Sequence, residues 1–305
     1  MQEIVECVMN ISEGRVIAKI NAIADEIRAN QHAFLLNTSS DSDHNRTVLS
    51  FIGTPSSISD AAFAATTKAI ALIDLTQHRG VHPRIGAVDV IPFVPVQGVS
   101  MENCVKIAHR LAEKIGQTLE IPVYLYGEAA IRPAFENLAH IREGEFEKLG
   151  ATIAQNPGRK PDFGPIRNHP TAGGVAVGAR QTLIAFNVYL ESSEVEIARE
   201  IAATIRESGG GLPGVKALGF HIAHRDRAQV SMNVMNYRQS SLFKIFNSIC
   251  AEAHRLEVEV DSSEIVGLVP RDALGEDAVE ALRLKDFAPD QILENCLRKA
   301  LGNRR

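Results

Sequence analysis

The sequence predicts an α/β fold, more narrowly α+β, made of two β-α-β-β-α-β units, residues 1–179 and 180–305. Three observations carry that expectation. Short apolar runs alternate with longer stretches whose apolar residues recur at helical spacing. The second half reads cleanly as β-α-β-β-α-β, the split βαβ or ferredoxin-like order. A chain of 305 residues is also long for one ordinary core and suits a two-part molecule.

In the first half, IVECVMNI reads as a strand and VIAKINAIADEIRA as an amphipathic helix. AFLLNTSS and RTVLSFIG are two strands flanking the polar loop SDSDHN. SSISDAAFAATTKAIALIDL is a helix filled with alanine, with Ser57 and Asp60 placed to cap its start. SMENCVKIAHRLAEKIGQTL is another, with Ser100 at the N-cap, and IPVYLYGEAA is a strand that ends at a glycine. Residues 155–174 hold four prolines and four glycines, too many for a regular element. They form either a linker or an ordered loop ahead of the next strand.

In the second half, QTLIAFNVYL is a strand and SSEVEIAREIAATIRE a helix, with a capping box from Ser193 to Glu196. VKALGFHIA and AQVSMNVMN form a hairpin around HRDR. SLFKIFNSICAEAHRL is a helix and SEIVGLVP a strand. Two helical segments, RDALGEDAVEALRL and PDQILENCLRKAL, finish the chain. Each sheet then has one face without helices, and the two faces are expected to pack together or to line a ligand cavity.

Composition narrows the function. With 45% apolar and 23% charged residues the chain is an ordinary globular protein. A net charge of -5 disfavours broad nucleic-acid binding. There is no apolar run of transmembrane length and no signal-peptide pattern, so the expectation is a cytoplasmic protein without membrane contact. Cys7, Cys104, Cys250 and Cys296 are scattered, which fits neither a disulfide framework nor a zinc site.

The chemistry concentrates in HRGVHPRIGAVDVIPFVP, residues 78–95. His78 and His82 have the spacing of a helical zinc motif, but Gly80 lies between them and Pro83 disfavours a helical conformation at His82. No acid stands where a third ligand belongs, so no metal is expected. Acid/base chemistry fits better, because an imidazole accepts and returns a proton near neutral pH. Arg79 and Arg84 add fixed charge suited to a carboxylate, and Asp89 could orient the ring or pair with an arginine. A polar loop whose charges satisfy one another is the plain alternative. His78 follows a helix and is expected to be solvated or to cap it. The loop SDSDHNR gathers Asp41, Asp43, His44, Asn45 and Arg46, which suits either a turn or a metal site. TAGGVAVGAR lacks the Lys-Ser/Thr of a phosphate loop, there is no nucleophile elbow, and no cysteine carries an activation signal.

Eight motifs in order then resemble one family. VECVMNISEG, NRTVLSFIG, HRGVHPRIGAVDVIPFVP, VYLYGEAA, PDFGP, GARQTLIAFNVYL, AQVSMN and EIVGLVP resemble the formiminotransferase family along nearly the whole chain. The resemblance implies two α/β subdomains with sheets facing each other around a folate tunnel, in a homodimer. It implies transfer of a formimino group between N-formimino-L-glutamate and tetrahydrofolate, a co-substrate, in histidine degradation and one-carbon metabolism. Related readings are formyl transfer from 5-formyltetrahydrofolate to glutamate, or a cyclo-ligase-like reaction. It places the catalytic histidine of HPRxGAxD at His82. It places the folate segment at Gly164, Pro165, Ile166, Arg167, Asn168, His169, Pro170, Thr171, Ala172 and Gly173. Family members have an aspartate where this chain has Ser39, so Asp41 is offered as the catalytic helper. Arg84 and Arg46 are the candidates for the substrate carboxylate. No fused cyclodeaminase domain is expected.

Overall fold

A computed structural model describes residues 3–302. Its contacts divide the chain into two compact units, one ending at Arg180 and one starting at Gln181.

The first unit contains β1 (Ile4–Ile11), α1 (Ile17–Arg28), β2 (Ala33–Asp41), β3 (Arg46–Gly53), α2 (Pro55–Leu72), β4 (Val88–Gln97), α3 (Met101–Thr118), β5 (Val123–Gly127), α4 (Leu138–Arg142), α5 (Glu145–Gln155) and β6 (Val175–Ala179). Its sheet runs β2-β3-β1-β4-β6-β5. β2, β3, β1 and β4 pair antiparallel with one another, while β6 is parallel to both β4 and β5. So β1 to β4, with α1 and α2, have the split βαβ order, extended at one edge.

Alternation decides which side each residue takes. On β1, Val5, Cys7, Met9 and Ile11 join Leu49, Phe51 and Phe93 in one core with Ile23, Ile27, Ile58, Ala65, Ile107 and Leu111 of α1, α2 and α3. Phe51 is fully buried there, and truncating it to alanine would cost about 3–5 kcal/mol. A second, smaller core joins Val90, Tyr124, Tyr126 and Ala176 to Ile141 of α4 and to Leu149 and Ile153 of α5. The helices α4 and α5 therefore cover the opposite face of the sheet at its β4–β6–β5 end. Glu6, Val8 and Asn10 of β1 point to that opposite face.

The capping differs from the sequence expectation at α2. Thr54, not Ser57, is the N-cap, with Pro55 in the first turn, and its hydroxyl accepts from the Ser57 N–H. Ser57 Oγ instead donates to the His32 carbonyl at 2.8 Å, and Asp60 meets Lys114 at 3.4 Å. At α3 Ser100 is the cap, accepting from Asn103 N at 3.2 Å.

The second unit contains β7 (Ile184–Leu190), α6 (Val195–Ile205), β8 (Val215–Ile222), β9 (Arg227–Val234), α7 (Leu242–Arg255), β10 (Val260–Val266), α8 (Ala278–Ala281) and α9 (Leu293–Gly302). Its sheet order is β10-β7-β9-β8, antiparallel throughout. Phe186, Val188, Val230 and Met232 pack against Ile201 of α6 and Ile249 of α7. The other face is polar: Glu264 Oε1 accepts from Tyr189 OH at 2.8 Å and from Asn187 Nδ2 at 2.9 Å. The expected capping box is not formed. Glu194 is the N-cap of α6, and Ser193 precedes the helix by two residues. The first C-terminal helical segment shortens to a single turn, α8. Among the described residues no helix is long and apolar enough to cross a membrane.

Candidate active site

Three segments of the first unit meet at one end of its sheet: the end of β1, the β2–β3 turn and the loop 78–86. Asp41 starts the turn. Its Oδ1 accepts from the backbone N–H of Asp43 and of His44, each at 2.9 Å, the Asx geometry that Asp favours. Asn45 takes a left-handed conformation, φ 49°, which asparagine tolerates better than most residues. From there it ties all three segments together. Its Oδ1 accepts from Gly14 N (2.8 Å), its Nδ2 donates to Arg79 O (3.0 Å), and its carbonyl accepts from His78 Nε2 (2.9 Å).

The glycines of the loop serve close approach. A Cβ on Gly80 would lie 2.4 Å from the His44 carbonyl, and one on Gly86 would lie 1.7 Å from the Gly174 carbonyl. Ser12 locks the same loop from β1, donating its hydroxyl to Gly86 O at 2.7 Å.

These contacts place His82 beside His44, with ring centroids 6.4 Å apart and planes at 64°. His44 Nδ1 pairs with Asp41 Oδ2 at 2.8 Å. The hydrogen bond from His44 holds the Asp41 carboxyl well below the usual carboxylate range, although burial opposes this. His82 is half-buried. Burial pushes its imidazole far below the ordinary value, and the positive charges of Arg46 and Arg142 push it further the same way. A neutral imidazole is therefore its resting form at neutral pH. Burial also lowers the Arg46 guanidinium, as does Arg142, while Asp41 and Asp89 act in its favour. The Arg46 side chain has no hydrogen-bond or ion-pair partner among the described residues. Arg142 is engaged: it donates to Asp89 Oδ2 from Nη2 and, at 3.0 Å, from Nε. Asp89 Oδ1 accepts from Ile85 N at 3.0 Å, so Asp89 pairs with an arginine rather than orienting His82.

The arrangement is a neutral imidazole near a half-buried, unpaired guanidinium. Such a site can take an anionic group at the arginine, and a carboxylate bound there offsets the positive charge that opposes protonation of the ring. His82, Asp41 and Arg46 thus come together, with Asp41 acting on His44 rather than touching His82.

Arg84 corrects the sequence expectation. It is buried, and its Nη1 and Nη2 donate to Glu145 Oε2 (2.6 Å) and Glu147 Oε1 (2.6 Å) at the start of α5. Its Nε donates to His78 Nδ1 at 3.1 Å. The guanidinium is occupied in fastening the loop to α5 and is a poor receptor for a substrate carboxylate. His78 corrects a second expectation. It is buried rather than solvated, and with Nδ1 accepting from Arg84 its Nε2 carries the proton given to Asn45. Arg79 stays local, donating to His78 O at 2.8 Å.

The segment 164–173 is an ordered loop of the first unit. Ala172 O accepts from Ala87 N (2.8 Å), and Gly86 and Gly173 form a bridge, so its end adjoins the loop that carries His82. His169 Nδ1 accepts from Ala172 N at 3.0 Å and closes a turn. Arg167, Asn168, His169 and Pro170 line a cavity of about 500 Å³ with Thr118, Leu119 and Glu120 at the end of α3. Gly164 packs against Gly116 of α3 and the Ile121 carbonyl, and Ile166 is exposed. Among the described residues, no group of three or more His, Cys, Asp or Glu side chains is placed to hold a metal ion.

Sequence reasoning missed Arg142 and the glutamates that hold Arg84. The available signal was Phe146, Leu149 and Ile153 at helical spacing after Gly144, with Glu145 and Glu147 in a first turn.

Comparison with known proteins identifies the family. The formiminotransferase domain, N-terminal subdomain, matches residues 4–180, and the formiminotransferase domain matches residues 185–283. The chain is 44% identical to a glutamate formimidoyltransferase of Streptococcus pyogenes over 97% of its length and 99% of that protein. It is also 44% identical to one of Thermoplasma acidophilum, covering 98% of it. A formimidoyltransferase-cyclodeaminase of Sus scrofa is 40% identical over 90% of this chain, which spans 51% of that protein. Matched by both subdomain models along nearly all its length, and by full-length relatives at 44% identity, the chain belongs to the formiminotransferase family.

Proposed function

We propose that the chain transfers a formimino group from N-formimino-L-glutamate to N5 of tetrahydrofolate, with His82 as the proton carrier. The observation that carries the reading is the neutral imidazole of His82 next to the unpaired guanidinium of Arg46. The names of the two 44%-identical relatives support it.

The chemistry asks for those two groups. Attack of N5 on the amidine carbon forms a C–N bond and leaves N5 with a surplus proton. Neutral His82 accepts that proton. The tetrahedral carbon then carries three nitrogens, N5, the glutamate nitrogen and the former imino nitrogen, and the glutamate nitrogen leaves once it is protonated. His82 delivers the proton there, the bond from the carbon to the glutamate nitrogen breaks, and a C=N bond re-forms on the folate side. The proton from N5 ends on glutamate, so one imidazole serves both steps, at about 10²–10⁴-fold in rate. Arg46 holds a glutamate carboxylate, and Asp41 fixes His44 beside the ring. The segment Gly164–Gly173 presents its backbone and Arg167 to the folate. Holding the two substrates together supplies much of the remaining acceleration. The same reading takes the chain as a cytoplasmic homodimer of histidine degradation.

The test is direct. Purified protein is incubated with N-formimino-L-glutamate and tetrahydrofolate, with 5-formyltetrahydrofolate plus glutamate in parallel. Formation of 5-formimidoyltetrahydrofolate with equimolar glutamate supports the proposal. Product only in the parallel reaction would replace it with formyl transfer.

A further inference from the structure

The motif NISEG at the end of β1 is almost wholly used by the fold. Ser12 binds the Gly86 carbonyl. Glu13 braces the turn that leads into α1, with Oε1 accepting from Arg15 N (2.9 Å) and Val16 N (3.0 Å). Gly14 N donates to Asn45, and the Glu13 carbonyl accepts from Thr47 Oγ1 at 2.5 Å. Asn10 has no such duty. Its Oδ1 is shut off from solvent and has no hydrogen-bond partner. A buried acceptor left unpaired costs about 1–3 kcal/mol, so its presence calls for an explanation.

The register shows where it points. Asn10 stands opposite Val48 of β3, and Asn37 of β2 opposite Ser50. Residues opposite one another share a face, and so do residues two apart along a strand. Asn10, Asn37 and Arg46 therefore lie on one face, the one opposite α1, α2 and α3. The Asn37 Oδ1 is likewise buried and unpartnered. Asn10 is a diagonal neighbour of Arg46, at a backbone spacing of about 7–8 Å. The face thus offers an anion receptor and, one diagonal away, an oxygen that lacks a donor.

We propose that Asn10 binds the amidine of the donor substrate and makes the site select a formimino over a formyl amino acid. The inference rests on the proposed function and names the specificity residue of that same site. A ligand with a carboxylate at one end and N–H donors at the other satisfies both groups. An N-formimino amino acid has both. Its amidinium presents N–H donors, whereas the corresponding N-formyl compound puts a carbonyl oxygen in the same place. A carbonyl facing Asn10 Oδ1 would set acceptor against acceptor and leave the buried oxygen unpaired.

The experiment measures equilibrium binding of N-formimino-L-glutamate and N-formyl-L-glutamate to wild type, Asn10→Ala and Asn10→Asp by calorimetry, alongside initial rates with tetrahydrofolate. In Asn10→Ala, Kd and KM for the formimino compound are expected to rise about 10–100-fold, while the tetrahydrofolate KM stays within about twofold. Preference over the formyl compound falls by the same factor. Asn10→Asp keeps an acceptor at the site and keeps the preference, which separates recognition from damage to β1. Unchanged formimino binding in Asn10→Ala, or an equal loss for both compounds, overturns the inference. Because binding is read without turnover, a wild type that binds the amidine through Asn10 but transfers nothing sinks the proposed function alone.

Discussion

Replacing Glu6 with glutamine is expected to stabilise the protein at alkaline pH and to do little at acid pH. Glu6 sits on β1, on the face opposite α1–α3, and is 4% exposed. Burial raises its carboxyl from 4.5 to about 7, although Arg180 pulls the other way. A carboxyl whose pKa is higher folded than unfolded binds its proton more tightly in the native state. Stability from this group is then complete below about pH 4.5 and is lost progressively as pH rises to about 7, above which the loss is constant. A rise from 4.5 to about 7, at about 1.4 kcal/mol per pH unit, corresponds to about 3 kcal/mol. Glutamine keeps the shape and cannot ionise. Urea unfolding of Glu6→Gln and wild type at about pH 5 and pH 8 reads the difference directly. Glu6→Gln is expected to gain about 3 kcal/mol at pH 8 and less than about 1 kcal/mol at pH 5. A gain of equal size at both pH values, or a loss at pH 8, would refute the argument that a buried ionised carboxylate weakens this sheet.

Two further outcomes test the site. Arg46→Gln removes the largest positive neighbour that depresses His82, so the His82 pKa rises toward its ordinary value. The acid limb of the kcat/KM profile is expected to move to higher pH, and a limb that stays or moves down contradicts the electrostatic role. Arg84→Met loses the pairs to Glu145 and Glu147, whose carboxylates are 42% and 57% exposed and return to water. It is expected to destabilise by about 1–2 kcal/mol and to leave the KM for N-formimino-L-glutamate within about twofold. A tenfold rise in that KM would restore Arg84 as the carboxylate receptor.

What the sequence disclosed follows from the range of each interaction. Period-two runs such as RTVLSFIG marked β3 to the residue, because alternation between two faces is a local property. The N-cap Ser100 was legible for the same reason. At α2 and α6, neighbouring serines competed for the cap, and Pro55 and Glu194 settled the start. The helices α4 and α5 escaped notice because Gly144, at φ 80°, breaks the phase between two short apolar patterns. The site divided in the same way. HPRIG showed a histidine stiffened by proline, with arginine beside it. The partner of that arginine lies some sixty residues away on α5, and no local pattern connects Arg84 to Glu145 and Glu147. The reverse holds at Arg46, whose lack of a partner is a property of the folded chain.

If one imidazole carries the proton between the two amines, His82→Ala removes the carrier and leaves both substrates their binding groups. Turnover of N-formimino-L-glutamate with tetrahydrofolate is measured beside equilibrium binding of each substrate to the same variant. In this variant kcat is expected to fall at least about 100-fold while both binding constants stay within about threefold. A variant that turns over at close to the wild-type rate would contradict this role for His82.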